Sequence, residues 1–205
     1  MATMRKFSAY RRLDRPYTRV SKFRNKAFIR MTPNPRIVRY DMGELQATFP
    51  YAVELRTRND TQMRDNAIES ARMSCNKVLE TKLGKTGYKF KIRIYPFHIL
   101  RENPLAAGAG ADRLSTGMSH AFGKPYGLAA QVRKNQTVFE VSTEKQNIPI
   151  AREALKAGSQ KLTASFNIVV TEKGAEKKAA QKKANTLSTG NPVKDLQKEV
   201  LVETA

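Results

Sequence analysis

The residues best suited to catalysis or metal binding are few and poorly spaced for either. The chain contains two histidines, His98 and His120, and one cysteine, Cys75. Three such residues cannot supply the four Cys or His ligands of a structural zinc site. Cys75 lies on the apolar stripe of a predicted helix, which indicates a buried structural thiol rather than a nucleophile. Asp112 and His120 could form an acid–base pair, but no motif places a nucleophile beside them.

Two glycine-containing segments imitate nucleotide-binding motifs without completing them. Residues 84–86 (GKT) are typical of the end of a P-loop, but that motif needs glycine at position 79, which is Leu79. A GxGxxG pattern that begins at Gly108 fails at Arg113. We therefore predict that the chain is not an enzyme and that it holds no metal and no cofactor. An RNA-modifying enzyme with an unrecognised site is kept as an alternative.

The net charge points to a polyanionic partner. The 205 residues include 38 Lys and Arg against 18 Asp and Glu, a formal net charge of +20. Such a surface attracts nucleic acid, an anionic membrane or an acidic protein. The sequence has no apolar stretch of transmembrane length and no apolar segment of the secretory type, and a single cysteine fits a reducing intracellular compartment.

The first thirty residues concentrate basic charge and interleave it with aromatic rings. They carry ten basic residues against one acidic residue and show no helical or strand period. This mixture suits RNA, whose phosphates bind cations and whose unstacked bases pack on rings. We predict a basic RNA-binding arm over residues 1–34 that becomes ordered on RNA; a basic terminus without a specific role is the alternative. The candidate RNA-binding residues of the arm are Arg5, Lys6, Arg11, Arg12, Arg15, Tyr17, Arg19, Lys22, Arg24 and Lys26.

Residues 35–171 predict a single α+β domain in which two helices pack on a mostly antiparallel sheet. The predicted strands are 35–40, 47–57, 88–95, 128–134, 137–143 and 163–171, with a turn at 41–43. One helix is capped at Asn59 or Asp60 and runs to Leu83, a second covers 149–157, and a short helix is predicted over 113–121. Residues 172–205 are rich in Lys and Ala, which predicts a flexible or weakly helical tail.

The strand predicted at 88–95 has one apolar and one basic face. Apolar side chains at even positions alternate with Lys89, Lys91 and Arg93. The strand period places these three cations roughly 7 Å apart in a row, a spacing on the scale of phosphates along RNA. We predict that they contact RNA; an ordinary solvated face is the alternative.

Two stretches of the sequence closely resemble one family of ribosomal proteins. They are IRIYPFHILREN, which ends at Asn103, and AGADRLSTGMSHAFGKPYG, which ends at Gly127. Both are similar to the large-subunit ribosomal proteins of the universal L-sixteen family, in its archaeal and eukaryotic L-ten-e branch. The resemblance covers about residues 4–171 and implies an α/β-hammerhead fold.

The resemblance implies a structural protein of the cytoplasmic ribosome. Such a protein binds large-subunit rRNA beside the corridor through which aminoacyl-tRNA reaches the peptidyl transferase centre, and supports tRNA accommodation and subunit assembly. Its expected partners are large-subunit rRNA, neighbouring ribosomal proteins and, by proximity, tRNA, with no membrane and no small-molecule substrate. A free basic nucleic-acid-binding protein of chromatin or RNA-chaperone type is the alternative.

The resemblance also implies a mobile loop that points toward the catalytic centre. We expect Arg101 and Arg113 to clamp the two feet of this loop onto rRNA, and we add His98 and Lys124 to the candidate rRNA-binding residues. For His98, packing is the competing interpretation. The residues assigned to the loop are Glu102, Asn103, Leu105, Gly108, Gly110 and Asp112.

Overall fold

The computed structural model describes residues 4–14, 29, 31–103, 108, 110, 113, 115, 117 and 122–173. Within them, eight strands form two antiparallel sheets and two α-helices pack beside them, so the predicted α+β class is confirmed. The strands are β1 (Asp41–Gly43), β2 (Tyr51–Thr57), β3 (Thr61–Arg64), β4 (Lys89–Ile92), β5 (His98–Glu102), β6 (Lys124–Val132), β7 (Thr137–Thr143) and β8 (Phe166–Glu172). The helices are α1 (Asp65–Leu83) and α2 (Ile148–Ser159).

The larger sheet has five strands in the order β1-β4-β7-β2-β8. Its inner face is apolar because alternate residues of neighbouring strands meet in register, as Phe90 does with Val141 and Leu55 with Phe139. The rings of Phe90 and Phe139 contact edge to face with 5.4 Å between their centres. All four of these side chains are fully buried, and the two helices cover them.

α1 packs on this face through the apolar stripe that the sequence predicts. Ile68, Cys75 and Leu79 of that stripe are fully buried. α2 crosses α1 so closely that a Cβ on Gly158 would overlap the Cys75 Sγ. The Cys75 thiol donates a hydrogen bond to the carbonyl of Ala154 at 3.3 Å, so the thiol serves the helix contact.

The smaller sheet has the order β3-β6-β5 and two different faces. On one face Met63, Ala130 and Val132 join the main core. On the other, Leu100 and Ala129 pack against the N-terminal segment, which we define as residues 4–14. This segment includes one turn of 3-10 helix at Phe7–Tyr10.

The structure corrects several predicted boundaries. α1 begins at Asp65 rather than after residue 60, because residues 61–64 pair with β6 as β3. Residues 35–40 are not a strand, and β1 forms at 41–43, where a turn was predicted. Strand 88–95 shortens to β4, because the main chain leaves the larger sheet after Arg93, whose N–H still donates to the Val138 carbonyl at 2.9 Å, and then reaches β5 at His98. The single predicted sheet is therefore two sheets.

The ends of the predicted domain also differ from the structure. The sequence predicts order in the arm only on RNA, yet residues 4–14 pack on the smaller sheet. At the other end β8 runs to Glu172, and the Lys173 N–H donates to the Pro50 carbonyl at 3.0 Å. The predicted tail beyond residue 173 and most of the helix predicted over 113–121 lie outside the described residues. Among the described helices, none is long and apolar enough to cross a membrane.

Candidate nucleic-acid interface

The N-terminal segment is held on the smaller sheet by its main chain. The side-chain amide of Gln62 donates to the Tyr10 carbonyl at 3.0 Å, and the backbone N–H of Gln62 donates to the Arg11 carbonyl at 3.1 Å. The side-chain amide of Gln131 donates to the Asp14 carbonyl at 2.7 Å. Because backbone atoms make these contacts, the side chains of Arg11 and Arg12 remain exposed.

A carboxylate at the end of β5 anchors the start of the same segment. Glu102 accepts a hydrogen bond from Arg5 Nε at 3.0 Å and another from the Tyr10 hydroxyl. The Arg5 N–H donates to the Tyr10 hydroxyl at 3.1 Å, and Arg64 Nη1 donates to the Arg5 carbonyl at 3.1 Å. The contact with Glu102 raises the pKa of Arg5, while burial and then Glu102 raise the pKa of Tyr10. Glu102, predicted to be part of the mobile loop, is instead a buried residue of β5.

The two ends of the segment 104–121 meet at what we call the loop base, formed by residues 101–103 and 122–123. Arg101 Nη1 donates to the Phe122 carbonyl at 2.6 Å, and the Arg101 guanidinium lies 3.7 Å from the centre of the Phe122 ring. Gly123 has φ +71° and approaches so closely that a Cβ there would lie 2.6 Å from the Glu102 carbonyl. Arg101, predicted to clamp rRNA, thus has partners within the protein.

Among the described residues of the segment 104–121, Gly108, Gly110, Arg113 and Gly117 are exposed. Gly108 and Gly110 have positive φ values of +116° and +80°, and the Arg113 N–H donates to the Gly110 carbonyl at 3.1 Å. Asn103 is partly buried at the loop base. Leu105 and Asp112 lie outside the described residues. A contact of Arg113 with rRNA stays a prediction.

His98 lies at the floor of a recess rather than on an open surface. It is 4 % exposed, and burial lowers the pKa of its imidazole, an effect that Asp14 partly opposes. The recess has a volume of about 160 Å³ and is also lined by Tyr10, Gln62 and Arg101. This position matches the packing interpretation of His98, and a contact of its ring with RNA stays a prediction.

The basic row of Lys89, Lys91 and Arg93, which lies on β4 and the residue after it, faces acidic residues of the neighbouring strands. Lys91 Nζ lies 3.6 Å from Asp41, and Arg93 Nε lies 3.5 Å from Glu140. Lys89 Nζ donates to the Leu45 carbonyl at 2.8 Å. The sequence predicted a row of one sign, but pairing with β1 and β7 places both signs on this outer face of the larger sheet. Attraction of phosphates to Lys91 and Arg93 is weakened by their carboxylate neighbours.

A groove of mixed charge between β1 and α1 was not visible to sequence reasoning. It has a volume of about 370 Å³, and its lining includes Arg39, Arg72 and Lys85 together with the acidic side chains of Asp41 and Glu80. Arg72 is paired with Glu69, and this contact lowers the pKa of the Glu69 carboxyl. The cations come from three separate stretches of sequence, so no local pattern could have marked them.

The remaining predicted contacts fall into two groups. Lys6, Arg11, Arg12 and Lys124 are exposed, as an RNA-binding role requires. Six candidates of the arm lie outside the described residues: Arg15, Tyr17, Arg19, Lys22, Arg24 and Lys26. The described part of the chain contains no cluster of three His, Cys, Asp or Glu residues that could hold a metal ion. What the described arrangement offers is a set of cations on a rigid support, which suits binding of a polyanion.

Comparison with known proteins gives a consistent result. The family model described as ribosomal protein L16p/L10e matches residues 14–169. The protein named large ribosomal subunit protein uL16 of Methanococcus aeolicus is 45% identical over 174 residues, which cover 84% of this chain and 96% of that protein. The proteins of the same name from Archaeoglobus fulgidus and Hyperthermus butylicus are both 43% identical, over 82% and 80% of this chain and 92% and 88% of their own lengths.

Proposed function

Because the chain belongs to the ribosomal protein L16p/L10e family, we propose that it binds large-subunit rRNA through its N-terminal segment and the cations beside it. Membership makes the chain a ribosomal protein, a structural constituent of the large subunit rather than an enzyme. Its setting is therefore the ribosome, where RNA and other ribosomal proteins are its partners. The proposal concerns which surface of the chain meets the RNA.

The observation that carries the proposal is the docking of residues 4–14 by main-chain contacts. Gln62 and Gln131 hold carbonyls of the segment, so the guanidinium groups of Arg11 and Arg12 remain exposed on a fixed backbone. Cations that are already positioned lose less conformational entropy when they meet phosphates. The ion-paired outer face of the larger sheet offers no comparable advantage.

We further propose that the loop following the loop base lies toward the aminoacyl-tRNA corridor and the peptidyl transferase centre. The support is the resemblance of residues 92–127 to the family, together with the close contact of Arg101 with Phe122 that defines where the loop leaves the domain. In this proposal the protein supports tRNA accommodation and subunit assembly. Cross-linking of a photoreactive residue at Gly108 to A-site tRNA in assembled subunits tests the location, and cross-links restricted to distant rRNA would contradict it.

A paired substitution tests the RNA-binding surface. We expect Arg11→Gln combined with Arg12→Gln to weaken binding to large-subunit rRNA about tenfold and to reduce the magnitude of the salt slope by about 1.4–1.8, since each lost phosphate contact removes roughly 0.7–0.9. The matched control is Lys91→Gln combined with Arg93→Gln, which removes the same charge from the ion-paired face and should have a smaller effect. Equal losses for the two pairs would show that only net charge matters.

Co-sedimentation separates a ribosomal constituent from a free nucleic-acid-binding protein. A ribosomal constituent co-sediments with large subunits through a sucrose gradient in high salt, because many contacts in a folded RNA site resist counterion competition. A free basic protein dissociates under those conditions, since non-specific binding is almost wholly electrostatic. Release of the chain from large subunits at a salt concentration that leaves other subunit proteins bound would favour the alternative.

A further inference from the structure

Glu102 connects two parts of the molecule that the proposed function uses separately. Its side chain accepts hydrogen bonds from Arg5 and Tyr10 of the N-terminal segment. Its own carbonyl forms part of the loop base, where Gly123 packs against it. One residue thus contacts the segment with its carboxylate and the loop base with its main chain.

The carboxylate does more for docking than the apolar contacts beside it can do alone. The apolar contact between segment and sheet is a small cluster of Tyr10, Leu100 and Ala129, with Met4 at its side. A cluster of this size excludes water but leaves the register of the segment open. Hydrogen bonds to a charged group are directional and among the stronger contacts in proteins, so the contacts to Glu102 add to the hydrogen bonds from Gln62 and Gln131 in selecting one position.

Charge adds a second reason. The guanidinium groups of Arg5 and Arg64 lie 5.5 and 5.8 Å from the centre of the Tyr10 ring, so two like charges converge on one side chain. Glu102 is 9 % exposed, and its carboxylate forms an ion pair with Arg5, one of these two arginines. The negative charge of this buried carboxylate offsets the repulsion between the Arg5 and Arg64 guanidinium groups.

We infer that Glu102 is a positioning residue that docks the N-terminal segment on the smaller sheet and couples the order of that segment to the loop base. The inference rests on the proposed function in one respect, namely that the N-terminal segment and the loop both contact RNA. The docking itself concerns the protein alone, and it can be measured without RNA.

Electrostatics and docking make opposite predictions for the variant Glu102→Gln. The substitution removes a negative charge from a cationic surface, so charge alone would tighten binding of rRNA. Loss of docking would instead weaken binding, because Arg11 and Arg12 would have to be ordered as they bind. The sign of the change in affinity therefore distinguishes the two effects.

The experiment compares Glu102→Gln with Glu54→Gln by hydrogen–deuterium exchange of the free protein. Glu54 is a matched control, since it also accepts hydrogen bonds from an arginine and a hydroxyl, those of Arg56 and Thr137, but on the larger sheet. We expect exchange in residues 4–14 and at the loop base to rise about tenfold in Glu102→Gln, the factor for losing one hydrogen bond to a charged group. Glu54→Gln should leave both regions unchanged.

Each outcome decides a separate part of the inference. Unchanged exchange in residues 4–14 would overturn the docking, and faster exchange there without a change at the loop base would overturn the coupling. Tyr10→Phe keeps the ring and removes one hydrogen bond, so it repeats the test if Glu102→Gln does not fold. Faster exchange together with tighter rRNA binding would support the docking and contradict only the proposed role of the segment in binding RNA.

Discussion

At the scale of single residues, burial decides what Cys75 can do. The thiol is fully buried between the helices, and this burial raises its pKa from 9.0 to about 12. It is therefore protonated at neutral pH, and thiolate is the reactive form. The residue that the sequence predicted to be a structural thiol is one in the structure.

The raised pKa of Cys75 predicts a pH dependence of stability. Above pH 9 the unfolded chain ionises this thiol and the folded chain does not, so the free energy of unfolding falls as pH rises toward 12. Between pH 9.5 and 11 we expect wild-type protein to lose up to about 1.4 kcal/mol per pH unit more than Cys75→Ala does. Urea denaturation of both proteins over this range measures the difference; parallel pH profiles would contradict the burial argument.

Gly123 at the loop base predicts a second residue-scale effect. Gly123→Ala would strain a backbone with φ +71° and press a methyl group into the Glu102 carbonyl. Gly84 has a similar φ of +69° with open space around its missing side chain, so Gly84→Ala isolates the conformational cost. We expect Gly123→Ala to be the more destabilising by about 1–3 kcal/mol in thermal or urea unfolding. Equal losses would mean that the main chain moves aside without cost.

At the scale of elements, the contact of α1 with α2 predicts a compensating pair of substitutions. Gly158→Ala should cost about 1–3 kcal/mol, because the added methyl group overlaps the Cys75 Sγ. In a Cys75→Ala background the sulfur is gone, and the same change should cost little or stabilise the helix, since alanine favours helix over glycine. A double-mutant cycle by urea denaturation measures this coupling. An identical cost in both backgrounds would place the strain elsewhere.

The elements also show what the sequence could and could not predict. The α1 stripe around Ile68 and the alternation around Phe90 are local patterns, so both elements were predicted close to their observed positions. β3 has four residues, three of them buried, and neither alternates nor carries a local strand signal. β3 exists because β6, some sixty residues later, supplies its hydrogen bonds. Pairing between distant stretches is invisible to local periodicity.

In the candidate interface, too, local features were visible in the sequence and contacts between distant stretches were not. The basic character of the N-terminal residues was visible in the sequence, and Arg11 and Arg12 are exposed as predicted. The acidic neighbours Asp41 and Glu140 reach the basic row only through strand pairing, so the local sequence could not show them, and a contact of the row with RNA stays a prediction. Glu102 was assigned to a loop by resemblance, whereas its partner Arg5 lies 97 residues away.

At the scale of the whole molecule, the net charge of +20 predicts steep salt dependence of rRNA binding. If six cations meet phosphates, log K should fall against log salt with a slope on the order of −4 to −5. Filter binding of purified protein to a large-subunit rRNA fragment between 50 and 300 mM salt, roughly the range over which counterion release dominates, measures this slope. A slope near zero would contradict the electrostatic account.

The docking of the N-terminal segment also sets an order of events in folding. Residues 4–14 wait for partners that are made much later, since Arg5 pairs with a residue 97 positions on and the Asp14 carbonyl accepts from one 117 positions on. Large loops must close before such contacts form, which slows folding and leaves them to its later steps. A nascent chain therefore carries the N-terminal segment undocked until β5 and β6 have been synthesised and paired.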